Sequence, residues 1–177
     1  IARVPDDQKA KINELLVQFQ LLTGESLTRQ LSMACVAFPT CALAMAEAER
    51  YLPDLITKIE ALQHQHGIAD RGLMVRMTGC PNGCARPFMA EIGFVGKSPG
   101  RYNMYLGGHK NGTRLNQLFQ ENIDEAKILD HLDQLLADYA QAGNAGEDFG
   151  DFVIRQGHVK TVKHGIQVHQ ISHLTED

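Results

Sequence analysis

The sequence predicts an α/β (α+β) protein in which a mixed β-sheet is flanked by helices. Short apolar runs bounded by glycine, such as "GLMVRMTG" and "EIGFVGKS", are typical of buried strands. Longer stretches instead carry apolar residues at helical spacing. Strand-like and helix-like segments follow one another along the chain, which favours helices packed against one mixed sheet.

The composition is that of one globular domain. The chain has 177 residues, of which 44% are hydrophobic and 21% are charged. A net charge of −4 argues against nucleic acid as the main partner. No apolar run approaches the ~20 residues of a membrane span. The chain begins "IARVPDDQ", without Met or a signal-peptide pattern, so we expect it to be a piece of a longer protein.

The first half of the chain predicts helix, strand, helix and strand. An amphipathic helix is indicated by the apolar positions Ile12, Leu15, Leu16, Phe19 and Leu22. "LTRQLSMACVAF" predicts a strand that runs into a turn carrying Cys35 and Cys41. "CALAMAEAERYLPDLITKIEALQHQHG" predicts a long helix, kinked or split near Pro53 and ended by Gly67. "GLMVRMTG" then predicts a short strand that ends beside Cys80.

The second half predicts a hairpin and two further helices. "CARPFM" indicates a brief helical turn, and "AEIGFVGKS" with "RYNMYLGG" indicates a hairpin. "TRLNQLFQ" and "NIDEAKILDHLDQLLADYAQAG" predict helices, the second with a capping box from Asn122 to Glu125. Core packing is the favoured interpretation of its apolar positions Leu129, Leu132, Leu136 and Tyr139. "GEDFGDFVIRQG" predicts a turn and a strand, and the polar tail that follows carries no assignment.

Four cysteines are the most informative residues of the sequence. Cys35 and Cys41 form a C-x5-C pair, and Cys80 and Cys84 form a C-x3-C pair on another loop. They are too few for a disulfide scaffold, and neither pair has the C-x2-C spacing of zinc knuckles. Four thiolates at wider spacing can hold an iron–sulfur cluster. From spacing alone, structural zinc and unliganded cysteines stay open as alternatives.

The loop "RMTGCPNGCARP" suits a multi-atom anionic cofactor better than a single ion. Gly79 and Gly83 allow the backbone to approach such a group closely. Asn82 accepts left-handed backbone geometry or bonds locally, and Pro81 stiffens the turn. Backbone amides on a tight loop offset the charge of thiolates.

Several motifs together resemble one enzyme family. "MACVAFPTC", "MTGCPNGCARP", "EIGFVGK", "PGRYNMYLGG" and "GEDFGDF" resemble the C-terminal part of the hemoprotein (beta) subunits of NADPH-dependent assimilatory sulfite reductases. The resemblance runs from about Ser32 to Arg155. C-x5-C with C-x3-C is shared by siroheme sulfite and nitrite reductases, and "CVAFPTC" and "CPNGC" are similar to the sulfite branch. Ala85 and Pro87 depart from the family pattern without removing a cysteine.

The resemblance implies a specific cofactor site and a nitrite/sulfite reductase 4Fe-4S domain-like fold. Cys35, Cys41, Cys80 and Cys84 would ligate one 4Fe-4S cluster, and Cys84 would also bridge to the iron of siroheme. Asn82 and Gly83 would lie against these cofactors. The implied activity is the six-electron reduction of sulfite to sulfide in sulfate assimilation and cysteine biosynthesis, in the cytoplasm. The implied partners are a flavoprotein (alpha) subunit, which passes on electrons from NADPH, and the N-terminal part of the same subunit.

The resemblance also predicts the domain boundaries, and it implies that the anion-binding part of the subunit lies outside this chain. We expect a helical segment over 1–31, a 4Fe-4S/siroheme-binding domain over 32–155 and a tail over 156–177. Because the family's sulfite-binding cations lie in the earlier part of the subunit, the fragment alone is expected to be inert. A siroheme nitrite reductase segment and a non-catalytic structural zinc domain are the alternatives.

For the cationic residues near the motifs, structural or solvated roles are the favoured interpretation. These cationic residues are Arg76, Arg86, Lys97, Arg101, Lys110 and Arg114. Arg86 is the exception that we retain as a possible catalytic residue, because it lies two residues from Cys84. "LGGHKNGTR" could cradle a siroheme carboxylate or be an ordinary loop. Surface exposure is expected for His64 and His66, and the spacing of His158, His164, His169 and His173 repeats no metal-ligand pattern.

Overall fold

A computed structural model describes residues 3–19, 21 and 26–160. The helices are α1 (Lys9–Gln18), α2 (Leu27–Leu31), α3 (Leu52–Gln65), α4 (Glu125–Ala142) and α5 (Phe149–Arg155). The strands are β1 (Met33–Ala34), β2 (Val75–Thr78), β3 (Ile92–Ser98), β4 (Arg101–Leu106) and β5 (Gln117–Ile123). Two 3-10 turns, Asp6–Gln8 and Pro87–Met89, complete the described elements.

The five strands form one mixed sheet in the order β1-β2-β3-β4-β5. Strands β1, β2 and β3 are parallel, whereas β4 and β5 add in antiparallel fashion. The hairpin of β3 and β4 and the turn at Pro87–Met89 confirm the predictions for those segments. The predicted class, a mixed sheet flanked by helices, is therefore confirmed.

The core lies on one face of the sheet, beneath α3 and α4. Alternate residues of the strands, such as Met77 and Phe94, are fully buried there. The predicted apolar positions of α4 pack into this core, with Leu132, Leu136 and Tyr139 buried and Leu129 partly buried. Within the described residues, no helix is long and apolar enough to cross a bilayer.

The long helix predicted from Cys41 to Gly67 is wrong in its first half. Residues 41–51 are irregular, and α3 begins only at Leu52. The amides of Met45 and Ala46 bond to the carbonyl of Gly79, so they are not available to a helix. Pro53 lies in the first turn of α3, where a missing N–H costs nothing, and it starts the helix instead of kinking it.

The prediction for 27–38 is also partly wrong. "LTRQL" forms the short helix α2, whose first turn is capped when the Ser26 hydroxyl accepts from the amide of Arg29. Only Met33 and Ala34 belong to a strand. The predicted N-terminal helix is present as α1, although Phe19 lies beyond its end and Leu22 falls outside the described residues.

Two segments near the end of the chain exchange their predicted structures. The predicted helix at "TRLNQLFQ" is wrong, because residues Gln117–Ile123 pair with β4 as an edge strand. The predicted strand in "GEDFGDFVIRQG" is wrong as well, because Phe149, Phe152 and Val153 are buried at helical spacing in α5. Both results reflect packing that overrides local preference.

The capping box from Asn122 to Glu125 is not formed. Asp124 is the N-cap of α4, and its side chain accepts a hydrogen bond from the amide of Lys127 at 3.1 Å. Asn122 instead has left-handed backbone geometry (φ 53°) at the end of β5. Its amide donates to the Asn103 side chain at 3.0 Å.

Candidate functional site

The parallel pairing of β1 and β2 brings the two cysteine loops to one edge of the sheet. Cys35 follows β1 directly, and Cys80 lies two residues beyond β2. The amide of Cys35 donates to the Met77 carbonyl at 3.1 Å. The amide of Gly79 donates to the Cys35 sulfur at 3.3 Å. Segments 44 residues apart in the sequence therefore meet at a sulfur atom.

Gly79 lets the first cysteine loop close over the second. Its carbonyl accepts from the amides of Met45 at 2.8 Å and Ala46 at 3.0 Å. A Cβ at position 79 would lie 2.6 Å from the Ala37 side chain and 2.6 Å from the Ala46 carbonyl oxygen. Only glycine fits between these groups, so close packing of the two loops explains this residue, while its predicted approach to a cofactor stays a prediction.

The loop that carries Cys41 is a compact turn. Its amide donates to the carbonyl of Ala37 at 2.8 Å, and its carbonyl accepts from Ala44 at 3.1 Å. Ala37 has a left-handed backbone (φ 45°) and is almost fully buried. Cys35 and Cys41 are both partly exposed, so both thiols lie near the surface of this loop.

The turn from Cys80 to Cys84 separates a buried thiol from an exposed one. Cys80 is buried, whereas Cys84 is exposed. The left-handed geometry predicted for Asn82 occurs at Gly83 (φ 70°), whose amide donates to the Cys80 carbonyl at 3.4 Å. Asn82 is exposed at the tip of the turn. The C-x3-C spacing thus places its two sulfurs in different surroundings.

The four cysteines are the candidate donors for a bound metal group. All four cysteines are free thiols. In the part of the chain that the structure describes, no group of three or more His, Cys, Asp or Glu side chains could hold a metal ion. A multi-atom cluster needs four thiolates on converging loops, with amides directed at sulfur. Cys35 already accepts such an amide bond from Gly79.

Comparison with known proteins shows which proteins are similar to this chain. No protein-family model matches it. It is 60% identical over 164 residues to the "Sulfite reductase [NADPH] hemoprotein beta-component" of Shewanella halifaxensis, covering 92% of this chain and 29% of the relative. The protein of the same name from Oceanobacillus iheyensis is 53% identical over 171 residues, covering 96% of this chain and 30% of the relative. That of Klebsiella pneumoniae is 51% identical over 162 residues, covering 92% of this chain and 28% of the relative.

The chain is homologous to part of the sulfite reductase hemoprotein. It spans about three tenths of the length of these curated relatives. Because all three carry the sulfite reductase name, the nitrite reductase and zinc-domain alternatives are not favoured.

A solved structure supports the fold of this hemoprotein homologue. The NirA protein of Mycobacterium tuberculosis superposes with a TM-score of 0.69 and 26% identity. The superposition covers 89% of this chain and 31% of that chain. The similarity agrees with the predicted fold, a mixed sheet flanked by helices.

Arg76 was predicted to have a solvated or structural role. Its Nε atom is buried and has no hydrogen-bond partner among the described residues. Burial lowers the pKa of its guanidinium below the usual value, and the charge of Arg86 lowers it further. Arg76 is in register with Gly93, over which the Pro87 carbonyl lies. A signal existed in the sequence, because Arg76 interrupts an apolar strand.

Other cationic residues of the motifs have structural partners, as predicted. Arg101 donates to the Asn122 carbonyl at 2.8 Å. Lys110 and Arg114, both in the "LGGHKNGTR" loop, pair with Asp148 at 2.7 Å and Asp151 at 2.6 Å. These ion pairs tie the loop to α5 and favour its interpretation as an ordinary structural loop. Lys97 and Arg86 are exposed.

The histidines take mixed positions. His64 is exposed, as predicted, whereas His66 is half-buried and lies 2.7 Å from Asp133. His158 lies 3.6 Å from Asp138. The remaining histidines of the predicted tail, at 164, 169 and 173, lie outside the described residues.

Proposed function

We propose that this chain is the cofactor-binding part of a sulfite reductase hemoprotein, which reduces sulfite to sulfide. The single observation that carries the proposal is the meeting of the C-x5-C and C-x3-C loops at the Cys35 sulfur, in a chain homologous to that hemoprotein. Cys35, Cys41, Cys80 and Cys84 would hold a 4Fe-4S cluster. Cys84 would also bind the iron of siroheme, with Asn82 and Gly83 beside it.

Exposure favours Cys84 as the bridging ligand. It is the exposed cysteine of its pair, so its sulfur is open to a second group, whereas Cys80 is buried. A thiolate can face two cofactors only if part of its surroundings is free of protein. Domain 32–155 would thus supply the ligands, with 1–31 and 156–177 outside it.

When bound, siroheme and the cluster would supply the electron-transfer chemistry and the place where sulfite is reduced. The chain's own residues would set the electrostatics of that place. The Gly79 amide stabilises negative charge on the Cys35 sulfur, which raises a cluster's reduction potential. Arg76 and Arg86 add positive charge beside the Cys80–Cys84 turn, and Arg86 is the residue that we propose could face sulfite.

The partners are proposed on similar grounds. Large apolar side chains are exposed around the first cysteine loop, namely Met33, Val36, Leu43 and Met45. An apolar surface of this kind beside a charged site is expected to be covered by another part of the protein. We assign that role to the N-terminal part of the same subunit, and electron delivery from NADPH to a flavoprotein partner. The fragment alone is expected to be inert without these parts.

A Cys84→Ser substitution tests the proposal in the full-length polypeptide that contains this sequence. We expect the variant to lose the electronic coupling between the two cofactors, seen in its electron paramagnetic resonance spectrum, together with sulfite reduction. Cys41→Ser is the comparison, because it removes a proposed cluster ligand and leaves the proposed bridge. Normal sulfite reduction by Cys84→Ser would refute the bridging role.

A further inference from the structure

A buried amide outside the cysteine loops holds the segment that follows Cys84. Asn116 lies between β4 and β5 and is fully buried. Its side-chain Nδ2 donates to the carbonyl of Pro87 at 2.7 Å and to that of Ala90 at 2.9 Å. Its backbone amide donates to the carbonyl of Phe88 at 2.9 Å. One residue therefore satisfies three carbonyls of a four-residue segment.

The held segment lies directly on the sheet. A Cβ at Gly93 would be 2.3 Å from the Pro87 carbonyl oxygen and 2.8 Å from Asn116 Nδ2. Because Gly93 has no side chain, the 87–90 segment can contact β3. The hydrogen bonds from Asn116 hold the segment in that position. Because both partners of Nδ2 are carbonyls, only a group with two donors can replace the amide.

The position of Asn116 is itself restrained. The "LGGHKNGTR" loop that precedes it is closed by Arg114, whose Nε donates to the Gly107 carbonyl at 2.7 Å. Arg114 also binds Asp151 of α5, and the Gly107 amide donates to the Glu91 carbonyl at 3.0 Å. The amide of Asn116 is therefore presented by a loop that is fixed at both β4 and α5.

Hydrogen bonds connect the held segment to the C-x3-C turn. The Met89 amide donates to the Arg86 carbonyl at 3.1 Å, and the Arg86 amide donates to the Gly83 carbonyl at 2.8 Å. Arg86 has left-handed backbone geometry (φ 52°), an arrangement that persists only when its surroundings hold it. The exposed Cys84 lies within this bonded stretch, so the backbone on either side determines where its sulfur points.

We propose that Asn116 is a positioning residue for Cys84. It holds the 87–90 segment on β3 and thereby fixes the Arg86–Gly83 bond that spans Cys84. This inference rests on the proposed role of Cys84 as the ligand shared by cluster and siroheme. A shared ligand needs a fixed direction toward both groups, and groups one shell away from a metal supply such constraints.

Asn116→Leu in the full-length polypeptide tests the inference, because leucine has a similar volume and donates no hydrogen bond. Gln63→Leu is the matched control. Gln63 is also a buried amide that donates to a carbonyl, that of Arg71 at 2.6 Å, but it lies on α3. Both variants lose a buried amide, so general destabilisation affects both.

The readouts are the coupled electron paramagnetic resonance signal and the rate at which a chelator removes cofactor iron. For Asn116→Leu we expect an altered coupling signal and roughly tenfold faster iron loss, whereas Gln63→Leu retains the parent signal. Asn116→Ser, which keeps one donor, is expected to fall between the two and serves if the leucine variant does not fold. A parent signal in Asn116→Leu, or equal changes in both leucine variants, would overturn the inference. The unsubstituted polypeptide is measured before any variant. If it gives no cluster signal, the proposed function itself is overturned.

Discussion

Arg76 is a charged residue whose neighbours, within the described residues, do not offset its positive charge. Its Nε is buried without a partner, and the nearby Arg86 has the same charge. Two cations close together in a partly buried place are unfavourable unless an anion joins them. Cluster-bound thiolates are anions, and the Cys80–Cys84 turn lies next to Arg86. The surroundings of Arg76 therefore favour a role toward a bound group.

Arg76→Met separates this role from a structural one, because methionine retains an apolar stem. Removing a positive charge near the proposed anionic cluster should make the cluster's reduction potential more negative. We expect a shift of roughly 40 mV if the guanidinium contributes about 1 kcal/mol to the reduced state. Redox titration of the full-length polypeptide measures the shift.

Arg101→Met is the control for that titration. Arg101 already donates to the Asn122 carbonyl on the far side of β4, and its removal should leave the potential unchanged. Equal shifts in both variants would show that Arg76 has no special relation to the cofactors.

At the scale of elements, predictions succeeded where one local pattern was sufficient. Helix α4 has both a clear apolar stripe and a buried face, and β3 and β4 are joined by a proline–glycine turn. Prediction failed where distant partners decide the outcome. Residues 41–51 are rich in good helix formers, but Ala46 and Ala48 are buried and the amides of this stretch bond to Gly79 and Cys35.

Helix α5 ends in a pH-dependent contact that the sequence pattern does not predict. Arg155, at its C-terminal end, donates to Glu147 through Nε at 2.6 Å and Nη2 at 2.7 Å. These bonds, with the amide of Asn144, lower the pKa of the Glu147 carboxyl to about 2. A forked contact of this kind depends on a loop geometry that periodicity does not encode.

The Glu147 contact predicts a defined acid sensitivity. Because the pKa is lower in the folded state, its contribution is complete above the ordinary value of 4.5 and is lost as the pH falls toward about 2. Arg155→Gln should therefore unfold at lower urea concentration than the parent at pH 7, with a difference that shrinks below pH 4.5. Urea unfolding at several pH values measures this.

Lys9→Gln is the matched control for the urea experiment. Lys9 pairs with Asp6 on the exposed surface of the N-terminal segment, and such pairs contribute little. A constant difference between Arg155→Gln and the parent from pH 7 to pH 2 would show that Glu147 has an ordinary pKa.

At the scale of the whole molecule, the sequence was enough to predict the mixed sheet and to propose the four cysteines as ligands. It was not enough to show that the buried Nε of Arg76 has no hydrogen-bond partner among the described residues, or that the buried Asn116 side chain binds two carbonyls of the 87–90 segment. Both depend on register and on loop closure, because Arg76 pairs with Gly93 of the neighbouring strand and Asn116 binds Pro87, 29 residues away in the sequence. Residue types and spacings point to candidate ligands, whereas the groups that would orient them are recognised only from the assembled fold.

The most direct test of the central claim is the content of iron, zinc and acid-labile sulfide in the full-length polypeptide, purified without oxygen. We predict about five iron and about four sulfide per polypeptide, from one cluster and one siroheme, and loss of the sulfide in Cys41→Ser. One zinc without sulfide, or a sulfide content that Cys41→Ser leaves unchanged, would contradict the assignment of the four cysteines to a cluster.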